Sequence, residues 1–277
     1  DKRNKLEAYR IAVDTAQPLP AELGAHVSNV VRRPRNPDVP VSPNSKEAVA
    51  RRRFAASQNE HTGVQKLAPY LLFVGAAEMD DRVAPVELIV SKNEINLNRF
   101  FLPPAPSKDI KKTWGNLSQP RPDTCIGYIR QSDANKAMPR CSAPFSPEQE
   151  SILDRHHMYF PFLTAQWKVP GANENLHDAQ NQAARDGAVI VNCLWDLYRV
   201  AYNRTPSVLE ACHFSWLSDL EFAQLWVHWR EGAQHYMEHV DDFSLRKEDD
   251  VCKARGFLRN IVNSAVTERL DSIKKAL

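Results

Sequence analysis

The stretch Tyr159-Phe160-Pro161-Phe162-Leu163-Thr164-Ala165-Gln166-Trp167-Lys168-Val169 decides the fold. Read as a strand, its side chains alternate, so Phe162, Thr164, Gln166 and Lys168 share one face and Leu163, Ala165, Trp167 and Val169 the other. Both faces are apolar as far as Ala165, the pattern of a central strand covered on each side. One face then turns polar, and Gln166 and Lys168 become neighbours on it at the C-terminal end of the strand. In open α/β sheets that end is where ligands bind.

Upstream lies a second β-like run, Pro122-Asp123-Thr124-Cys125-Ile126-Gly127-Tyr128-Ile129-Arg130, which opens with an acid directly after a proline. If the two runs pair, Asp123, Gln166 and Lys168 meet. Pro122-Asp123 followed by Gln166-x-Lys168 resembles the PD-(D/E)xK signature of the restriction-endonuclease-like nucleases, with Gln in place of the usual Glu or Asp. Over residues 46–277 the order of elements is also similar to a fungal family of that superfamily carrying a "PD…GY…PF…WK" pattern.

The resemblance implies an α/β fold with a restriction-endonuclease-like mixed central β-sheet flanked by helices, ending in a C-terminal β-hairpin and helix. It implies a metal-dependent nuclease acting on DNA or RNA, with Asp123 as the central ligand of Mg²⁺ or Mn²⁺ and Lys168 beside the attacking water and the phosphate. Gln166 would offer its carbonyl oxygen, which removes one negative charge from a site built for a hard cation and weakens the metal. Glu60, on the first helix, would join the metal shell. Gln180, Arg121, Arg51 and Arg52 are the expected nucleic-acid contacts. The alternative is a catalytically silent nuclease-fold module that binds nucleic acid or a protein, for example a fungal effector or a chromosome-associated factor.

Composition sets bounds on this. With 277 residues, 43% hydrophobic and 25% charged, the chain has the balance of a soluble globular protein able to build a sizeable core. A net charge of +2 is too small to announce a nucleic-acid binder, although Arg32, Arg33, Arg35, Lys46 and Arg51-Arg52-Arg53 crowd the N-terminal fifth. Cys125, Cys141, Cys193, Cys212 and Cys252 are odd in number, far apart and without a CxxC pair, which argues for reduced thiols in the nucleus or cytoplasm. No apolar run is long enough to cross a membrane. The chain starts at Asp1 rather than Met, as expected of a domain taken from a longer protein.

Along the chain, residues 1–45 read as a Pro-rich basic arm or linker with a short helix over 5–13, followed by a nuclease-like domain over 46–277. Arg32-Arg33-Pro34-Arg35 reads as a solvated basic linker, with a nuclear-import signal or phosphate-contacting arm as alternatives. Two short helices are predicted over 46–73, interrupted at Gly63 and Pro69. Ser57-Gln58-Asn59-Glu60 has the form of a capping box, the structural reading of Glu60 beside its metal role. A first strand is predicted at 86–90 and a long polar insertion between Gln131 and Met158. His156-His157 alternate across an extended chain and are poor joint metal ligands. After Pro170-Gly171, Asn173 or Asn175 caps a long helix with Ala179, Ala183, Gly187, Ile190 and Leu194 on its buried stripe and Arg185 projecting to the opposite side. Strands at 211–217, 222–230 and 234–240 follow, the last two forming a hairpin whose Trp216, Trp226, Trp229 and Tyr236 read as core rather than as base-stacking platforms. A helix over 248–275 closes the chain, its acidic start and basic end matched to the helix dipole.

Overall fold

In a computed structural model of the chain the Tyr159 run forms strand β4 (Tyr159–Trp167), buried almost throughout. The structure describes residues 2–34, 43–72, 88–132, 144–153, 158–169 and 174–277, apart from the side chains of Glu60 and Ile152. The Asp123 run forms β3 (Thr124–Tyr128), which pairs antiparallel with β4 in the register Thr124↔Ala165, Cys125↔Thr164 and Ile126↔Leu163. A bulge follows at Gly127, where a Cβ would stand 2.8 Å from the Tyr159 carbonyl oxygen, so only glycine lets the two backbones close.

On its other side β4 runs parallel to β5 (His213–Ser218), with Gln166 opposite Leu217. The sheet continues antiparallel through β6 (Phe222–Glu231) and β7 (Gln234–Ser244), the hairpin expected from the sequence, and beyond β3 ends in β2 (Ile89–Asn93). Its far edge is β1 (Ile11–Val13), parallel to β7. The mixed seven-stranded order is β1-β7-β6-β5-β4-β3-β2.

Helices cover both faces, as expected of such a sheet. The long helix α7 (Leu176–Tyr202) lies across β4, β5 and β6, capped by Asn175, whose side chain accepts from the Asp178 backbone while Asp178 accepts from that of Asn175. Its small stripe is a contact requirement: a Cβ on Gly187 would fall 2.2 Å from His228 Nδ1. On the opposite face α8 (Glu248–Ser264) packs on β7 and on α3 (Pro43–Ala55), and α3 packs on α4 (Glu60–Leu71). The tryptophans at 167, 216, 226 and 229 are inaccessible to solvent, and Trp216 stacks on Phe243 at 5.5 Å. Each removes roughly 200 Å² of mostly apolar surface from water, roughly 5 kcal/mol before conformational entropy, which is why they are core and not binding platforms.

Several expectations need correction. The segment read as an arm is partly built into the fold: α1 (Lys2–Ala8) lies on α7, and Arg10 in the left-handed region (φ 60°) turns the chain from α1 into β1. Residues 21–31, α2 (Ala21–His26) and a π turn (Val27–Val31), bury Leu23, Val27 and Val31. The capping box at Ser57 does not form. Ser57 donates to Phe54 O, and Asn59 caps α4 by accepting from Thr62 N at 2.9 Å. Pro69 lies inside α4 near its end, where it forfeits a single backbone bond. The C-terminal helix is broken by a second π turn (Ala265–Arg269) before α9 (Leu270–Ala276). Within the polar insertion α6 (Pro147–Ile152) is described, and α5 (Lys108–Trp114) precedes β3. Val86, Cys141, His156-His157 and Pro170-Gly171 lie outside the described residues. The four described cysteines are free, and among the described residues no helix is long and apolar enough to cross a membrane.

Candidate active site at the end of strands β3 and β4

Asp123 sits one residue before β3, and the antiparallel register carries it beside the last residue of β4. Its Oδ2 accepts the Trp167 backbone N–H at 2.8 Å, tying the two strand ends together. Gln166 is 2% exposed and points into the α7 face, where its Nε2 donates to Asp186 Oδ2 at 2.8 Å. Lys168 follows the strand. Its backbone N–H donates to Ser218 O at 2.8 Å, extending the pairing with β5, while its ammonium lies 2.9 Å from Glu174 Oε2. At 3% exposure the Lys168 side chain is a buried cation with a half-exposed partner. The three residues singled out by their spacing are therefore gathered at one end of the sheet.

Asp186 is the member that the sequence reading missed. It is wholly buried on α7, and its Oδ1 accepts from Arg185 Nε (3.0 Å), Arg185 Nη2 (2.9 Å) and the Arg121 backbone N–H (3.2 Å). Burial pushes its carboxyl up to about 6, against the lowering effect of Arg185 and with a further push from the charge on Asp123. Asp123 is also raised by burial, and the Trp167 N–H and the Lys168 ammonium act against the rise. Glu174 is held below the ordinary carboxylate range by its bond to Lys168. The site thus combines two acids that disfavour each other's charge, a lysine and an amide. Because a donor must face Asp186, the Gln166 amide is oriented with its carbonyl oxygen turned away, and no described donor reaches that oxygen.

A signal for Asp186 was present. It falls on the buried stripe of α7, one turn after Ala183 and one before Ile190, and an acid on an apolar stripe needs a partner inside the protein. Arg185, expected on the opposite side, instead folds back to Asp186 and donates to Ser118 Oγ at 2.7 Å.

The expected nucleic-acid contacts are mostly occupied. Gln180 accepts from Arg3 Nη2 and donates to Gln224 Oε1, so it fastens α1 to α7 and β6. Arg52 pairs with Glu221, and Arg51 pairs with Glu47 and stacks over the Tyr70 ring. Arg121, half-exposed and bonded to Glu94 Oε2 at 2.6 Å, stays at the rim, where its own backbone contacts Asp186. The start of α4 comes to the same end of the sheet: a Cβ on Gly63 would lie 3.0 Å from Leu220, two residues after the Ser218 that pairs with Lys168. The Glu60 side chain itself lies outside the described residues.

Among the described residues no group of three His, Cys, Asp or Glu side chains could hold a metal ion. The buried histidines pair with side-chain oxygens instead: His213 with Thr164, His228 with Ser215 and His235 with Asn192, at 2.9, 2.7 and 2.8 Å. The oxygens of the cluster that no described donor reaches are Asp123 Oδ1 and Gln166 Oε1.

No curated protein matches the chain. Residues 50–277, a span that holds Asp123, Gln166, Lys168 and Asp186 together, match one family, and the chain belongs to it: the Domain of unknown function (DUF7924).

Proposed function

We propose that this site hydrolyses phosphodiester bonds in DNA or RNA, as the resemblance to restriction-endonuclease-like nucleases implies. The observation that carries the reading is the convergence of Asp123, Gln166 and Lys168 at the C-terminal end of a strand that is otherwise apolar. Burying an amide and an ammonium there costs folding free energy, and such groups with perturbed neighbours concentrate at functional sites.

Asp123 Oδ1 and Gln166 Oε1 would hold the cation, with Glu60 as the further candidate from α4. A bound Mg²⁺ or Mn²⁺ supplies charge neutralisation at the phosphate and a more acidic water. Lys168 places its positive charge against the phosphate after exchanging Glu174 for it, a substitution helped by the access of Glu174 to water. Asp186 orients the Gln166 amide, and Arg121 supplies positive charge at the rim. A reducing compartment, nucleus or cytoplasm, belongs to the same proposal, supported by the free thiols.

One set of observations favours the second reading, a silent nuclease-fold module that binds nucleic acid or a protein. Lys168 is already paired, Asp186 is saturated with donors, and the metal donors are few. Incubation with supercoiled plasmid and with structured RNA separates the two. Cleavage that needs Mg²⁺ or Mn²⁺ and stops with EDTA supports the nuclease; saturable binding without cleavage supports the module.

A further inference from the structure

A second concavity adjoins the candidate site. It is a cavity of ≈ 300 Å³ between α1, the segment after α5 and the first half of α7. The charged side chains of its wall are Lys2, Lys5 and Arg185, and the described lining holds no acid. Leu6 and Leu117, both buried, form its apolar floor, and the exposed Ser118 stands at its rim.

Two bonded chains join this cavity to the candidate site. Arg185 is bonded to Asp186, which holds the Gln166 amide. Gln182, also in the lining, donates to Glu174 Oε2 at 3.5 Å, and Lys2 lies 3.8 Å from the other oxygen of the same carboxylate. That carboxylate is the partner of the Lys168 ammonium, so Glu174 touches both Lys168 and the cavity wall.

The three cations are unequally committed. Lys2 is met by Asp178 at 3.0 Å as well as by Glu174. Lys5 donates to the Asn116 carbonyl at 2.8 Å and pairs with no acid among the described residues. Arg185 gives Nε and Nη2 to Asp186, while its Nη1 has the Ser118 hydroxyl at 2.7 Å. The bonds from Lys5 and from Arg185 Nη1 are exposed, so an oxygen entering from solvent can reach both donors where a neutral acceptor now sits. A phosphate oxygen is a stronger acceptor than a carbonyl or a hydroxyl. Like charges gathered around one concavity also repel, and its walls focus their field on an entering anion.

We propose that this cavity is a subsite for the sugar-phosphate backbone of a nucleic acid, next to the phosphate that meets Lys168. Lys5 and Arg185 Nη1 take a phosphate, and the attached sugar lies over Leu6 and Leu117. The proposal rests on the reading of this end of the sheet as a nucleic-acid site. It adds to that site the helix α1, which lies outside residues 50–277 that match the family.

The test is binding of a short fluorescein-labelled DNA strand, and of RNA of the same sequence, to the full chain in EDTA, read by anisotropy across a salt series. Lys5→Gln keeps most of the stem and removes the charge. It should weaken binding about fivefold and reduce the slope of log affinity against log salt by about 0.7, the loss of one phosphate contact on a single strand. Ser118→Glu sets a carboxylate against Arg185 at an exposed position and should weaken binding by at least about tenfold. Lys275→Gln is the control, an equal change of charge on α9, which contacts the C-terminal half of α7, and it should leave binding within about twofold of the parent. Melting curves check that the variants fold. No binding of either strand by the parent, binding indifferent to both Lys5→Gln and Ser118→Glu, or an equal loss in Lys275→Gln overturns the proposal. Binding that follows these changes, with no nicking by the parent in Mg²⁺ or Mn²⁺, supports the subsite and removes the nuclease reading alone.

Discussion

Gln166 Nε2 lies 2.8 Å from Asp186 Oδ2, so the residue that departs from the acidic PD-(D/E)xK pattern is bonded to an acid arriving from helix α7. An amide is suited to that position because a carboxylate would face a carboxylate there. The departure therefore has a local cause, the buried Asp186, whatever it does to a metal.

Gln166→Glu tests this pairing. Two buried carboxylates in contact cannot both ionise, so the variant should lose about 1–3 kcal/mol at neutral pH and recover part of it as the pH falls and one of them takes a proton. Thermal melts at pH 5 and pH 8 report the difference. If Asp123 and residue 166 share a cation, Mg²⁺ should raise the melting temperature of the variant more than that of the parent.

Asp186→Asn is expected to change the pH dependence of stability. Burial raises the folded-state carboxyl to about 6, well above the ordinary aspartate range, so between those values the folded protein holds a proton that the unfolded chain has released. That contribution is present below the unfolded value and is lost as pH rises toward 6, on the order of 3 kcal/mol in total. The histidines act in the opposite sense: burial lowers His228 to about 3 and His235 to about 4, so their contribution is present above their unfolded value near 6.5 and is lost as pH falls. His213 and His26 are lowered by burial as well, so the parent should lose stability toward acid between pH 6 and 4 in chemical denaturation, and Asp186→Asn, lacking the opposing acid, should lose it more steeply. Identical profiles would remove the buried acid from the account.

Lys168→Ala should cost about 1–3 kcal/mol, because Lys168 is 3% exposed and truncation removes a packed aliphatic stem. Lys168→Met is the cleaner probe. It keeps the stem and removes the charge, and its partner Glu174 is exposed enough to be solvated, so stability should stay within about 1 kcal/mol of the parent. Denaturant midpoints of the two variants check the ordering.

Deleting residues 1–14 removes α1 and β1. The deletion uncovers the β7 edge and takes away the buried side chains of Leu6, Ile11 and Val13 and the bond from Arg3 that fixes Gln180. A fall in stability of several kcal/mol and concentration-dependent association through the open edge should follow, read by melting and by light scattering. Retained stability in the deletion would mean that the sheet folds without its seventh strand.

What the sequence made legible is what local pattern encodes. The alternation in β4 and the apolar spacing of α7 are repeated signals, and both elements lie within a residue or two of their expected ends. Asp123, Gln166 and Lys168 were found because a strand register converts spacing into proximity. The rest depends on contacts between distant segments. The stripe of α7 marked Asp186 as a buried acid, but its partners, Gln166 and Arg121, were hidden because they come from two other elements, and Glu174 was hidden because a loop acid carries no pattern. The N-terminal strand was hidden because Ile11–Val13 is too short to signal by itself and becomes a strand by pairing with β7. Gln180, Arg51 and Arg52 were legible as polar surface, yet their occupation by Arg3, Glu47 and Glu221 is tertiary information.

The central claim meets its most direct test in the nicking of supercoiled plasmid by parent and Lys168→Met protein purified side by side. The account predicts nicking by the parent in Mg²⁺ or Mn²⁺, none in EDTA, and at least about a hundredfold less by Lys168→Met at equal stability, since a charge set against the phosphate acts on the transition state. Equal nicking by the two proteins, or none by the parent with either metal, would contradict it.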